Sequence, residues 1–78
     1  MAAGLVFLGR LEDAAGCGQL ACDAGPSALV LAGLPEALRE ALGSPRIKIA
    51  VNGALVVKLP DTVADGDEIA FLPPVSGG

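Results

Sequence analysis

A chain of 78 residues, 53% of them hydrophobic and with a formal charge of −4, forms one small domain with more apolar side chains than its interior can hold. Five Lys and Arg against nine Asp and Glu, with Phe7 and Phe71 as the only aromatic residues, exclude a nucleic-acid binder built on phosphate neutralisation. The absence of histidine excludes a Ser-His-Asp triad, a Cys-His pair and the commonest metal ligand.

Leu5-Val6-Phe7-Leu8 is a short apolar, partly β-branched run and reads as the first strand. Arg10–Gly16 has room for one helical turn. The segment 17–26, rich in Gly and Asp, reads as a loop or a loosely paired arm, of which 20–22 could form part of a hairpin. Cys17 and Cys22 lack C-x-x-C spacing and are read as small apolar side chains, with no redox chemistry assigned. Ala28–Ala32 reads as the second strand, closed by Gly33.

Leu34–Leu42 carries the best helix pattern. Pro35 suits its first position, Glu36 sits at the positive end of its dipole, and Leu34, Leu38 and Leu42 share one face. Gly43 stops it and Pro45 bars continuation. Arg46–Val51 alternates strictly, with Ile47, Ile49 and Val51 on one side. Asn52-Gly53 is a hairpin turn, because both residues accept positive φ. Ala54–Leu59 follows as a strand with Leu55, Val57 and Leu59 on one face. Asp65-Gly66-Asp67 makes a second turn into the last strand, Glu68–Leu72. The order β-β-α-β-β-β, with a helix packed across a sheet, is an α+β domain. It is compatible with a ubiquitin-like β-grasp, and a generic α+β roll reads the same way.

The surplus of apolar surface predicts an exposed patch that docks a protein partner. The acidic balance favours a basic surface on that partner, through steering more than affinity. Arg10, Glu12 and Asp13 interrupt the apolar run that a leader peptide needs, and no segment reaches the ~18 apolar residues of a membrane helix. The cytoplasm is the expected location.

Residues 73–78, Pro73-Pro74-Val75-Ser76-Gly77-Gly78, have no ladder to join, because the two prolines end the strand and favour an extended course. The expected organisation is a domain over 1–72 and a flexible tail over 73–78. A tail ending in two glycines can thread a narrow channel, since neither carries a Cβ. A terminal carboxylate can be adenylated and then captured by a sulfur nucleophile as a thiocarboxylate. That chemistry belongs in partner active sites, which agrees with the missing histidine.

The run from Asp65 to Gly78, DGDEIAFLPPVSGG, closely resembles the C-terminal signature of molybdopterin-synthase small subunits. Val51-Asn52-Gly53 is similar to that family's hairpin, and Phe7–Gly16 to its first strand and following turn. The resemblance covers the chain and is weakest between residues 17 and 33. It implies a β-grasp fold, with a mixed sheet, one main helix across it and an extended tail. It implies a non-catalytic sulfur carrier in molybdenum cofactor biosynthesis with no cofactor of its own. An E1-like enzyme would adenylate Gly78 with ATP and magnesium, and a sulfur donor would convert it to the thiocarboxylate. The carrier would then insert its tail into the large synthase subunit, in a heterotetramer, and pass sulfur to cyclic pyranopterin monophosphate. On this resemblance Gly77, Ser76, Val75, Pro74 and Pro73 thread the channel, and Leu8, Leu55 and Leu72 face the large subunit, although short strands also allow these leucines an ordinary core place. The chain departs from the pattern in a longer 17–26 segment, a shorter link over 43–46, and Leu34 where a Thr usually precedes the helix.

Three alternatives share much of this pattern. A carrier for thiamin synthesis or tRNA thiolation also ends in Gly-Gly, but thiamin carriers usually lack the Phe71–Val75 segment. A ubiquitin-like modifier would form isopeptide bonds through Gly78. A plain interaction module would work without Gly77 and Gly78.

Overall fold

The computed structural model describes residues 2–44 and 46–73. Ten elements follow in chain order: β1 Ala2–Phe7, α1 Arg10–Ala15, β2 Gln19–Asp23, β3 Gly25–Pro26, α2 Ser27–Ala32, α3 Glu36–Leu42, β4 Lys48–Val51, β5 Ala54–Val56, β6 Thr62–Val63 and β7 Glu68–Leu72. Five strands form one sheet in the order β2-β1-β7-β4-β5, and β3 pairs with β6 in a small second sheet. β1 and β7 run parallel, while β1–β2, β4–β7 and β4–β5 are antiparallel. The sheet is therefore mixed and the first and last long strands lie side by side at its centre. This is the expected α+β, β-grasp arrangement, with three helices where one main helix was expected.

The core forms where the alternating strands and the helices point at each other. Ala3, Leu5 and Phe7 of β1 and Ile69 and Phe71 of β7 are buried with Leu11, Leu34, Leu38 and Val63. Register sets Leu5 beside Ile69 and Phe7 beside Phe71, and the two rings stack with centroids 5.7 Å apart. Ile49 and Val51 of β4 continue the same face, opposite Phe71 and Ile69. α1 packs on α3.

Several boundaries differ from the sequence reading. The apolar run Ala28–Ala32 is the helix α2 and not a strand. Ser27, Val30, Leu31 and Leu34 turn inward at i, i+3, i+4 and i+7, while Leu29 is 70% exposed. Its start is fixed by tertiary bonds: the Ser27 hydroxyl donates to the Pro60 carbonyl and its N–H to the Asp61 carbonyl at 2.8 Å. The second strand is instead β2, in the segment read as a loop or loosely paired arm. Its partner is β1, with Leu5 opposite Leu20 and Ala3 opposite Cys22. The main helix begins at Glu36, with Pro35 as its cap, because Gly33 and Leu34 close the preceding helix with bonds to Val30 and Leu31 carbonyls. The strand read over 46–51 begins at Lys48, and the one read over 54–59 ends at Val56. β1 starts at Ala2 and ends at Phe7, leaving Leu8 outside it.

Two sequence signals hold as read. Asn52 (φ 52°) and Gly53 (φ 85°) make the tight β4–β5 turn. The turn at 10–16 is the helix α1, ended by Gly16 at φ 79°. Pro45 lies outside the described residues.

Candidate functional site: the outer sheet face and the exit of the tail

Alternation along the central strands leaves a second face, away from the helices. By register Val6, Ala70, Ala50 and Leu55 stand in one row across β1, β7, β4 and β5. Directly opposed residues share a face, so this row is small and apolar and it crosses four strands. Leu72 lies on the same face one step further along β7, opposite Lys48. Leu8 follows Phe7, and its N–H donates to the Phe71 carbonyl at 3.3 Å. Leu55 is 71% exposed and Leu8 42%, while Leu72 is half-buried. Two of the three leucines singled out in the sequence thus share one face, and the third stands beside its edge. Val57, which sequence reading placed in a strand, is fully exposed just beyond β5.

Pro73 continues from β7 and is half-buried. It sits against Gly9, where a Cβ would come within 3.0 Å of the Pro73 ring. Gly9 has φ 57°, so both its backbone and its neighbour demand a residue without a side chain. Pro73 also lines a cavity of about 330 Å³ with Arg10, Leu11, Ala14, Ala41, Ser44 and Ile47. The first residue of the tail segment is therefore positioned by the end of β1 and the start of α1. Pro74, Val75, Ser76, Gly77 and Gly78, singled out in the sequence, lie outside the described residues.

The opposite pole of the sheet is held by side chains of two sequence motifs. The Asn52 amide donates to Asp67 Oδ1 at 2.9 Å, and the Ala64 N–H donates to Asp67 Oδ2 at 2.9 Å. These bonds, the Asn52 one first, hold the Asp67 carboxyl below the usual carboxylate range. Asn52 Oδ1 accepts the Glu68 N–H at 2.9 Å, and the Asn52 N–H donates to the Glu68 carbonyl at 2.8 Å. The Gly4 N–H donates to the Asp67 carbonyl, the Gly66 N–H to the Ala2 carbonyl, and the Ala2 N–H to Asp65 Oδ1. The Asp65-Gly66-Asp67 turn thus joins the start of β1 to the β4–β5 hairpin. Sequence reading saw it as a turn only; the exchange of bonds between Asn52 and Asp67 needed the fold.

Cys17 and Cys22 are free thiols, both half-buried. Burial pushes the Cys22 thiol above its ordinary range, against a smaller opposing hydrogen bond from the Ala3 backbone. Such a thiol is a poor nucleophile. Among the described residues no group of His, Cys, Asp or Glu could hold a metal ion, and no helix is long and apolar enough to cross a membrane.

Comparison with known proteins adds a second line of support. A family model described as the ThiS family matches residues 6–78. A search of curated proteins finds no match. Among solved structures, small archaeal modifier protein 1 from Haloferax volcanii is 27% identical, with a TM-score of 0.80 and all of both chains covered. The solution structure of small archaeal modifier protein 1 from Methanosarcina acetivorans is 28% identical, with a TM-score of 0.79, over 99% of this chain and 96% of that one. Subunit 1 of the Helicobacter pylori molybdopterin-converting factor, solved as a complex of subunits 1 and 2, represents a further relative. That match is 31% identical, with a TM-score of 0.71, over 100% of each chain.

Proposed function

The chain belongs to the ThiS family of small, ubiquitin-like sulfur carriers, and from that premise we propose that it carries sulfur for molybdenum cofactor biosynthesis on the carboxyl end of Gly78. The observation that carries this reading is the run Asp65–Gly78, whose last six residues follow β7 without interruption. The activating partner is an E1-like enzyme using ATP and magnesium. The Gly78 carboxylate attacks the α-phosphate of ATP and pyrophosphate leaves. Hydrosulfide from the sulfur donor then attacks the acyl carbon, a C–S bond forms as the bond to AMP breaks, and loss of the S–H proton leaves the thiocarboxylate. The carrier contributes the acyl group and its delivery, and catalysis lies with the partners.

Delivery needs a docked body and a threaded tail. The row Val6–Ala70–Ala50–Leu55, with Leu72 and Leu8 beside it, is the apolar surface offered to the large synthase subunit. Gly77, Ser76, Val75, Pro74 and Pro73 are the threading segment, and cyclic pyranopterin monophosphate is the acceptor. The complex of subunits 1 and 2 in the Helicobacter pylori relative supports a partner subunit of this kind. A cytoplasmic location accords with ATP-dependent activation.

The intact mass after incubation with ATP, magnesium, the same organism's E1-like enzyme and a sulfur donor tests the proposal. The expected result is a gain equal to replacing one oxygen by sulfur, confined to the C-terminal peptide. No gain, with an enzyme active on its own carrier, rejects it. The likeness to the archaeal modifier proteins favours a second reading, attachment of Gly78 to lysines of other proteins. Recovery of Gly78 in stable isopeptide linkage would favour that reading.

A further inference from the structure

Net charge conceals an uneven distribution. Four of the five basic residues lie at the end of the sheet from which residue 73 departs. β7 ends at Leu72, which stands opposite Lys48 on β4, and Arg46 precedes Lys48 by two residues. β5 returns antiparallel with Val56 opposite Ile49, so Lys58 follows past that same end. β1 is parallel to β7, with Phe7 beside Phe71, so Arg10 also lies past that end. Arg10 shares a cavity with Pro73, Ser44 and Ile47, the last two flanking Arg46. Arg10, Arg46, Lys48 and Lys58 are all exposed. The exposed Glu12 and Asp13 of α1 share that end and are outnumbered by the four cations, while the opposite pole carries Asp23, paired with Ala2, and Asp65, which accepts the Ala2 N–H. Apolar side chains accompany the cations: half-buried Leu72 stands opposite Lys48, fully exposed Val57 precedes Lys58, and exposed Leu8 lies two residues before Arg10.

We propose that Arg10, Arg46, Lys48 and Lys58 form a cationic collar around the base of the tail, and that it docks on a partner protein whose tail-receiving mouth is rimmed with Asp and Glu. An apolar centre with a charged rim is the ordinary anatomy of a transient interface. Rim charges act on encounter rate and orientation. The net charge of −4, taken alone, favours a basic partner surface, but a local collar of the opposite sign reverses that expectation at the tail end and turns it, and not the acidic pole, towards such a mouth. This inference rests on the sulfur-carrier reading only in requiring a partner that receives the tail.

The test uses the full chain and the same organism's E1-like adenylating enzyme, with affinity measured at low and high NaCl. The double variant Lys48→Glu/Lys58→Glu should bind about tenfold more weakly or worse at low salt, and wild-type affinity should itself fall as salt screens the collar. A second variant adds Asp23→Lys and Glu36→Lys. Each reversal changes the charge by two, so this variant returns to −4 while its collar stays broken. It should remain as weak as the double variant. Recovery of wild-type affinity would overturn the collar in favour of net charge, and unchanged or tighter binding by the double variant would overturn it outright. Thermal melts confirm that each variant is folded. If wild type is neither bound nor changed in mass by the enzyme, the carrier reading fails, and the collar proposal with it.

Discussion

Asp67 does at atomic scale what its turn does for the sheet. Its two oxygens take the Asn52 amide and the Ala64 N–H, and its lowered carboxyl pKa records that the charged form is the bonded one. A depressed folded-state pKa means stabilisation that is complete above the ordinary carboxylate value of about 3.9 and is lost as pH falls through the folded value. Asp67→Asn should therefore melt lower than wild type near neutrality, and the gap should close as the pH of the melts falls below about 4. Gly9 is the second decisive residue. Its φ of 57° is unfavourable for any side chain, and a Cβ would stand 3.0 Å from the Pro73 ring, forcing that ring to shift. Gly9→Ala should cost about 1–3 kcal/mol in denaturant unfolding, as strained backbone does, whereas alanine at Gly53, where a Cβ would meet nothing within 4 Å, faces only the unfavourable φ.

At the scale of elements, β1 and β7 are the pair on which everything else rests. They hold the stacked Phe7 and Phe71 rings between the sheet and helices α1 and α3. Truncating a buried phenylalanine costs about 3–5 kcal/mol, and a domain of this size has about that much net stability to lose. Phe71→Ala should leave most of the chain unfolded at 25 °C by circular dichroism. Leu55→Ala, at an exposed position, should change the melt little and act on partner affinity instead. α2 teaches a different lesson. Five apolar residues, Ala28–Ala32, are too short a window for periodicity to separate a buried strand from a helix. The spacing 27, 30, 31, 34 was the available signal, continuing into Leu38, but it crosses Gly33 and Pro35 and so spans two helices. β2 was obscured for the opposite reason. As an edge strand of Gln, Leu, Ala, Cys and Asp it has little intrinsic strand preference, and pairing with β1 supplies what its composition lacks.

Across the whole molecule the two poles have different tasks. One is closed by reciprocal bonds among Asn52, Ala64, Asp65, Asp67 and the start of β1. The other presents Leu8, Leu72, Val57 and the cations around Pro73. On the proposed function, one residue added after Gly78 should abolish adenylation, since it relocates the carboxylate and places a side chain in the channel. The melting temperature should stay unchanged, because the buried core lies between Ala3 and Phe71. Sulfur transfer by the extended protein in a reconstituted assay would reject the terminal-glycine mechanism.

The local chemistry of the chain was enough to determine the hairpin at Asn52-Gly53, the alternation of β4 and β7 and the helical stretch ahead of Gly43, because each rests on residues close in sequence. Fourteen consecutive residues at 65–78 also carried the family resemblance. Tertiary structure alone decided that β1 lies parallel to β7, that 28–32 is a helix and 19–23 a strand, and that Asn52 reaches Asp67. The reason is physical: a short segment takes the conformation that buries its apolar side against the rest, and that rest is distant in sequence. Register likewise gathered Arg10, Arg46, Lys48 and Lys58, scattered along the chain, at one end of the sheet. No count of charges could have placed them there.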